Sequence, residues 1–302
     1  MAKRRITSSA APFLTAFLLL LALFGGRGSA SAKKPSIIVD HACTKIEKIP
    51  GEWIEKAKKT LHIAYGFTSH GSQLVTGMAG LVTWEKGGPQ YSFNGGGKNG
   101  ALDLRAFAGN FGNLGIAHDL NQDITFNMNR TAWEKATRKY LATNPGVNVV
   151  MWAWCYGANT SDANIDLYLD LMSGLERDFP DITFVYQTGR TSGPGYGTRD
   201  AACNQRIRDY CRANGKVLYD FYDIECYDPD GTYYGDKLVN CMCDYDSDGD
   251  RVRDRNWAVE WQNAHPGEWY DCRSEHSHPL NANLKAYAAW WLWARLAGWD
   301  GR

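Results

Sequence analysis

The segment from Leu61 to Met78 concentrates the residue types that acyl transfer needs. A short apolar run, Leu61 to Gly66, ends abruptly in Thr68, Ser69, His70, Gly71 and Ser72, and then restarts with helical spacing. A serine at the carboxyl end of a buried parallel strand lies in the crevice where open α/β sheets bind ligands. The helix that follows presents unpaired backbone N–H groups to a developing oxyanion. Ser69 and Ser72 are the two candidate nucleophiles. The same cluster would also serve as a turn that caps the next helix, so the rest of the chain has to decide.

Three further segments offer partners. The apolar run Asn148 to Trp154 leads into Cys155-Tyr-Gly-Ala-Asn159, where Asn159 could donate its amide to an oxyanion or simply make the turn before a helix. Phe111-Gly-Asn-Leu-Gly115 follows a presumed strand, and Gly112 there could present a bare backbone N–H. Asp271-Cys-Arg-Ser-Glu-His-Ser-His278 stands just before Pro279, which opens the last helix. His276 and His278 are both candidate general bases, with Asp271, Glu275 or Asp223 available to orient the ring. Separately, Asp246-Ser-Asp-Gly-Asp-Arg-Val-Arg-Asp254 alternates carboxylates around a glycine. Asp246, Asp248, Asp250 and Asp254 could hold a structural calcium, although the glycine position and Trp257 depart from an EF-hand; a solvated acidic loop is the alternative.

The elements that must position these residues alternate in type. Near-continuous apolar runs at Leu61–Gly66, Val147–Trp154, Ile182–Thr188 and Lys216–Tyr222 read as strands covered on both faces, and Leu102–Ala108 as a further one. Helical spacing marks Thr131–Ala142, Ser161–Phe179, Arg199–Asn214 and Pro279–Leu296, with Pro180 and Gly215 as stops. Strand and helix in alternation imply a mainly parallel sheet wound by right-handed crossovers. The Asn94–Gly100 stretch lacks the spacing of a nucleotide loop.

Composition bounds the setting. Lys3, Arg4 and Arg5, the apolar run Phe13–Phe24 and Ser29-Ala-Ser-Ala32 form a secretory signal with a small-residue cleavage site. Residues 1–32 are therefore expected to be removed, leaving 33–302 as a single exported domain, secreted or periplasmic, with no membrane span. Thirty-three basic and thirty-three acidic residues cancel, which gives nucleic acid nothing to grip. The eight cysteines, read in an exported chain, predict disulfides, six of them stapling a Cys- and Asp-rich insertion and its flanks at about 224–272. Cys241-Met-Cys243 is too short for a structural zinc pair.

A Ser after the first strand, Gly after the second, Gly-x-Asn after the third and His before the last helix resemble, in type and order, the SGNH (GDSL-like) hydrolase superfamily. The resemblance runs from Leu61 to Leu296 and is closest to an exported, atypical SGNH-like group, with Thr-Ser-His-Gly-Ser-Gln in place of Gly-Asp-Ser-Leu. It implies an α/β three-layer sandwich with a sheet of about five strands in flavodoxin-like winding. It further implies Ser69 as nucleophile, Gly112 and Asn159 as oxyanion donors beside the Ser69 N–H, and His276 as base. The family's Asp stands three residues before its His; here Arg273 holds that place relative to His276, and Glu275 holds it relative to His278. Ser72 and His278 therefore remain open as alternatives. The implied activity is a secreted serine esterase that needs no cofactor and acts on a small-molecule or polysaccharide ester, with deacylation of a carbohydrate fitting the twelve Trp and sixteen Tyr. The rivals are a non-catalytic glycan-binding protein on the same scaffold and a calcium-stabilised structural or adhesive envelope protein.

Overall fold

Seven parallel strands form the central sheet of the computed structural model, which describes residues 35–114, 117–126, 129–155, 157–193 and 198–302. The expected signal segment lies outside the described residues. The strands are β1 (Ile37–Val39), β2 (His62–Phe67), β3 (Phe93–Asn94), β4 (Leu102–Ala108), β5 (Val149–Trp152), β6 (Thr183–Gln187) and β7 (Val217–Tyr219), in the order β1-β7-β6-β5-β2-β4-β3. The five longer-range strands expected from sequence make up the flavodoxin-like order β7-β6-β5-β2-β4. The sheet exceeds the expected five strands because β1 and β3, three and two residues long, extend its edges and are too short to carry a periodicity. Winding reverses at β2, so the crevice at its carboxyl end is the topological switch point.

Helices cover both faces. On one side lie α1 (Gly51–Thr60), α2 (Ser72–Thr83) and, reached later in the chain, the long C-terminal helix Pro279–Leu296; on the other lie α3 (Ala132–Thr143), α4 (Asp162–Asp178) and α5 (Arg199–Asn214). Alternation along the strands assigns each side chain to a layer: Ile63, Tyr65, Val149 and Met151 join the first core, while Ala64, Val150 and Trp152 join the second. This three-layer α/β sandwich is the expected class.

After β7 come α6 (Phe221–Ile224), an irregular excursion carrying the antiparallel pair β8 (Asp244–Tyr245) and β9 (Arg255–Asn256), then α7 (Trp257–Ala264) and α8 (Pro279–Leu296). Helix α8 is buried almost all round, as its Ala/Trp composition demands of a core helix. Gly77 of α2 lets it approach, since a Cβ there would lie 2.1 Å from the Ala282 carbonyl oxygen. Among the described residues, no helix is long and apolar enough to cross a membrane.

The disulfide expectation is corrected by the structure: all eight cysteines carry free thiols. Cys203 and Cys211 pack in the core beneath α4 and α5, whereas Cys43, Cys155, Cys226 and Cys243 lie in the core on the α2/α8 side, where all but Cys155 serve chiefly as small apolar fillers. Aromatic packing takes the place of staples in the insertion, where Tyr234 lies 4.7 Å from Tyr245 and 5.9 Å from Trp257, ring centre to ring centre.

Candidate active site

Strand β2 ends in extended Thr68, and the chain then makes a single tight helical turn, Ser69–Gly71, that feeds directly into α2. A buried thiol shapes this turn. Cys155, just past β5, accepts hydrogen bonds from the N–H groups of Thr68 (2.9 Å) and Gly71 (3.4 Å) and donates its S–H to the Thr68 carbonyl (2.8 Å). Burial, reinforced by the nearby Asp119 carboxylate, pushes the Cys155 thiol up to about 12, so it stays protonated and able to donate. The Thr68 hydroxyl donates to the Asp119 carboxylate, on a segment that crosses the sheet end through Leu120 N–H to Ala153 C=O (3.0 Å).

Gly71 is required by space alone. A Cβ there would stand 2.6 Å from the Phe67 Cβ and 2.8 Å from the Ala153 Cβ, and the Tyr65 hydroxyl already donates to its carbonyl at 3.0 Å. Gly71→Ala is expected to destabilise the fold by about 1–3 kcal/mol through overpacking, read as a lowered urea midpoint at unchanged slope. A midpoint equal to wild type would mean that the turn tolerates the methyl group.

The two serines separate cleanly. The Ser72 hydroxyl donates to the Ser69 carbonyl at 2.6 Å and helps to hold the turn. Among the described residues, neither the hydroxyl nor the N–H of half-buried Ser69 has a hydrogen-bond partner. Both serines line a cleft of about 410 Å³ together with Thr68, Gly109, Arg273 and Glu275.

The loop before α8 brings Arg273 and Glu275 to the cleft, whereas His276 is exposed and is not among the residues that line it. Glu275 accepts the Gln73 side-chain amide on its carbonyl (2.5 Å), and its carboxylate holds Arg273 (2.6 Å). His276 has a left-handed φ of 57°, which turns its ring onto His70, the neighbour of Ser69 in sequence, with centroids 4.6 Å apart. The Glu275 carboxylate lies 3.9 Å from His276 Nε2, outside hydrogen-bond range.

His70 is 4% exposed, with Nε2 3.3 Å from the Cys241 sulfur. Burial first, then the charges of Arg190, His276 and Lys285, push it down from 6.5 to about 2. The unfolded chain takes up a proton near pH 6.5 that the folded protein refuses. His70 therefore contributes full stability above that pH, and stability falls as pH drops toward 2. Between pH 6.5 and 5 the expected loss is about 2 kcal/mol. His70→Gln, compared by urea denaturation at pH 7 and 5, should lose that much less than wild type; parallel pH dependence in the two proteins would exclude His70 as the source.

Other sequence-derived candidates lie elsewhere. His278 occupies the N-cap position of α8 without a side-chain capping hydrogen bond, and is not among the residues that line the cleft. Asp271 is exposed, and Asp223 binds His41 at the far edge of the sheet. Gly112 lines a separate groove with Asn113 and Tyr140; its φ of 60° and a Cβ position 2.3 Å from the Tyr140 ring give it a packing role. Asn159 is exposed and does not line the cleft. The glycine at the cleft is Gly109, with φ 68°, whose N–H donates to the Phe67 carbonyl at 2.7 Å. Its signal was its place as the first residue after β4.

In the acidic loop, single carboxylate oxygens of Asp246, Asp248 and Asp250 lie within 4.8 Å of one another, an arrangement with room for a cation. Asp254 is engaged instead by the Ser247 N–H (3.0 Å) and hydroxyl (2.8 Å). No known protein family, curated protein or solved structure matches this chain.

Proposed function

We propose that the protein is an exported serine esterase of SGNH type that removes a short acyl group from an alcohol, with a carbohydrate ester as the substrate class. The observation that carries this reading is Ser69, whose hydroxyl and N–H make no hydrogen bond among the described residues and which lines a cleft of about 410 Å³ at the switch point of the sheet. In the reaction, Ser69 Oγ attacks the ester carbonyl and His276 takes its proton. The Ser69 N–H and the first turn of α2 receive the oxyanion, and the proton passes to the departing alcohol. Water, deprotonated by the same imidazole, then attacks the acyl-enzyme; the acyl–Oγ bond breaks, the imidazolium returns its proton to Ser69 Oγ, and the acid leaves. No cofactor is needed for these steps. Calcium at Asp246, Asp248 and Asp250 would be structural, away from the chemistry.

One observation favours a second reading. Glu275 is held by Arg273 and stands 3.9 Å from His276, so among the described residues the imidazole has no carboxylate within hydrogen-bond range to orient it, as in a binding protein on a decayed hydrolase scaffold. A fluorophosphonate probe separates the two. Wild type and Ser72→Ala should be labelled, with the adduct on the peptide containing Ser69. Absence of labelling in wild type, with saturable glycan binding, would replace the esterase by the binding protein.

A further inference from the structure

We propose that Asp40, His41 and Asp223 form a second site that holds a divalent first-row transition-metal cation, apart from the Ser69 cleft and independent of the esterase reading. The fold builds it at the carboxyl ends of two adjacent strands. Asp40 and His41 follow β1 directly, Val39 is in register with Tyr219 of β7, and the Asp220 N–H donates to the Val39 carbonyl at 2.7 Å. Helix α6 then brings back Asp223. One donor atom from each of Asp40, His41 and Asp223 lies within 4.8 Å of the others.

The imidazole is fixed before any ligand arrives. Its ring lies flat on Tyr227 at 3.5 Å, and Nδ1 is 2.5 Å from Asp223 Oδ2, which also accepts the His41 backbone N–H at 3.0 Å. Charge around the cluster is unbalanced. Three carboxylates gather here; Arg208 takes both oxygens of Asp220 (2.9 and 2.5 Å) and His41 pairs with Asp223. Among the described residues Asp40 is left with the Ala42 N–H at 3.1 Å and the Cys43 thiol at 3.9 Å. A cation would supply the missing positive charge and take the place of the proton between Nδ1 and Asp223.

Metal–ligand bonds of about 2.0–2.2 Å set neighbouring donors roughly 3 Å apart, so the three donors, now within 4.8 Å of one another, would draw together on binding. One imidazole nitrogen with two carboxylate oxygens suits manganese or zinc, whereas calcium seeks a larger set of oxygens, such as the acidic loop offers. A cavity of about 420 Å³ borders the cluster through Asp223 and through Tyr227, and its wall also carries Arg208, Arg212, Tyr222 and Tyr233. It has room for water or an anionic ligand beside Asp223, with two guanidinium groups in its wall.

The test is Mn²⁺ titration of the whole protein, followed by electron paramagnetic resonance, with excess Ca²⁺ present to occupy the acidic loop. Mn²⁺ also discriminates against the free thiols, which prefer softer ions. Wild type should bind one Mn²⁺ that Zn²⁺ displaces. His41→Gln and Asp40→Asn should each weaken binding at least about tenfold. Asp40→Asn keeps an oxygen for the Ala42 N–H and leaves the His41–Asp223 bond in place, so it folds and decides the matter even where His41→Gln does not. No stoichiometric Mn²⁺ in wild type, or unchanged affinity in Asp40→Asn, overturns the site.

Discussion

Ser69→Ala is expected to lower kcat/KM for a short-chain aryl ester by about 10⁴- to 10⁶-fold, the range seen when a serine nucleophile is removed while its oxyanion donors remain. The melting temperature should stay within a degree or two of wild type, because the hydroxyl makes no hydrogen bond among the described residues and leaves no buried partner behind. Ser72→Ala makes the contrast: it removes the 2.6 Å bond to the Ser69 carbonyl, so it loosens the turn and should reduce turnover only modestly. The two imidazoles divide in the same way. His276→Ala should approach the Ser69 defect, since its ring packs against the neighbour of the proposed nucleophile, while His278→Ala, at the N-cap position of α8, should leave most activity. Full turnover in Ser69→Ala would remove the serine from the chemistry, and a large defect in His278→Ala would reassign the base.

How far the site could be read from sequence follows from how local each signal is. Ser69 was legible because the switch from a buried strand to a helix happens within a few residues, and that switch fixes the residue at the strand end. Gly109 and Gly112 both follow β4, and nothing local in the sequence tells them apart: Gly109 lines the cleft with its N–H bound to the Phe67 carbonyl, while Gly112 makes way for Tyr140. Asp223 was weighed as an orienting acid for a loop histidine; its partner is His41, 182 residues away, brought near by an edge strand of three residues that carries no pattern. Cys155 gave no hint of its role, since a thiol that organises two backbone N–H groups resembles any other core cysteine in sequence. The disulfide expectation came from compartment and count, which say nothing about whether sulfurs approach one another.

The largest expected loss of stability comes from a residue that helical periodicity would place in water. Lys285 lies in the apolar α8, its side chain 0% exposed, with Nζ 3.0 Å from Glu225 Oε1 and 2.6 Å from Asn281 Oδ1, over the Phe221 ring at 4.2 Å. Glu225 is equally enclosed, and its other oxygen accepts the Thr191 N–H (2.7 Å) and hydroxyl (2.9 Å). Burial pulls the Lys285 ammonium below its ordinary value, and the Glu225 charge opposes that pull. Glu225→Ala strands the ammonium in the core and should cost about 3–5 kcal/mol, a large share of the roughly 5–15 kcal/mol typical of a folded domain. The expected fall in melting temperature is about 10 °C. Replacing both partners, Glu225→Leu with Lys285→Met, removes the stranded charge and should recover part of the loss, a coupling that a double-mutant cycle measures directly. The pair also reaches the site: Asn281, which accepts from Lys285, donates to Ser277 at 2.7 Å, next to His276. At a temperature where Glu225→Ala is still folded, the proposed turnover of an aryl ester should therefore fall further than the folded fraction. Equal losses would confine the ion pair to the core, and a Glu225→Ala midpoint within about 1 kcal/mol of wild type would mean that water reaches the ammonium.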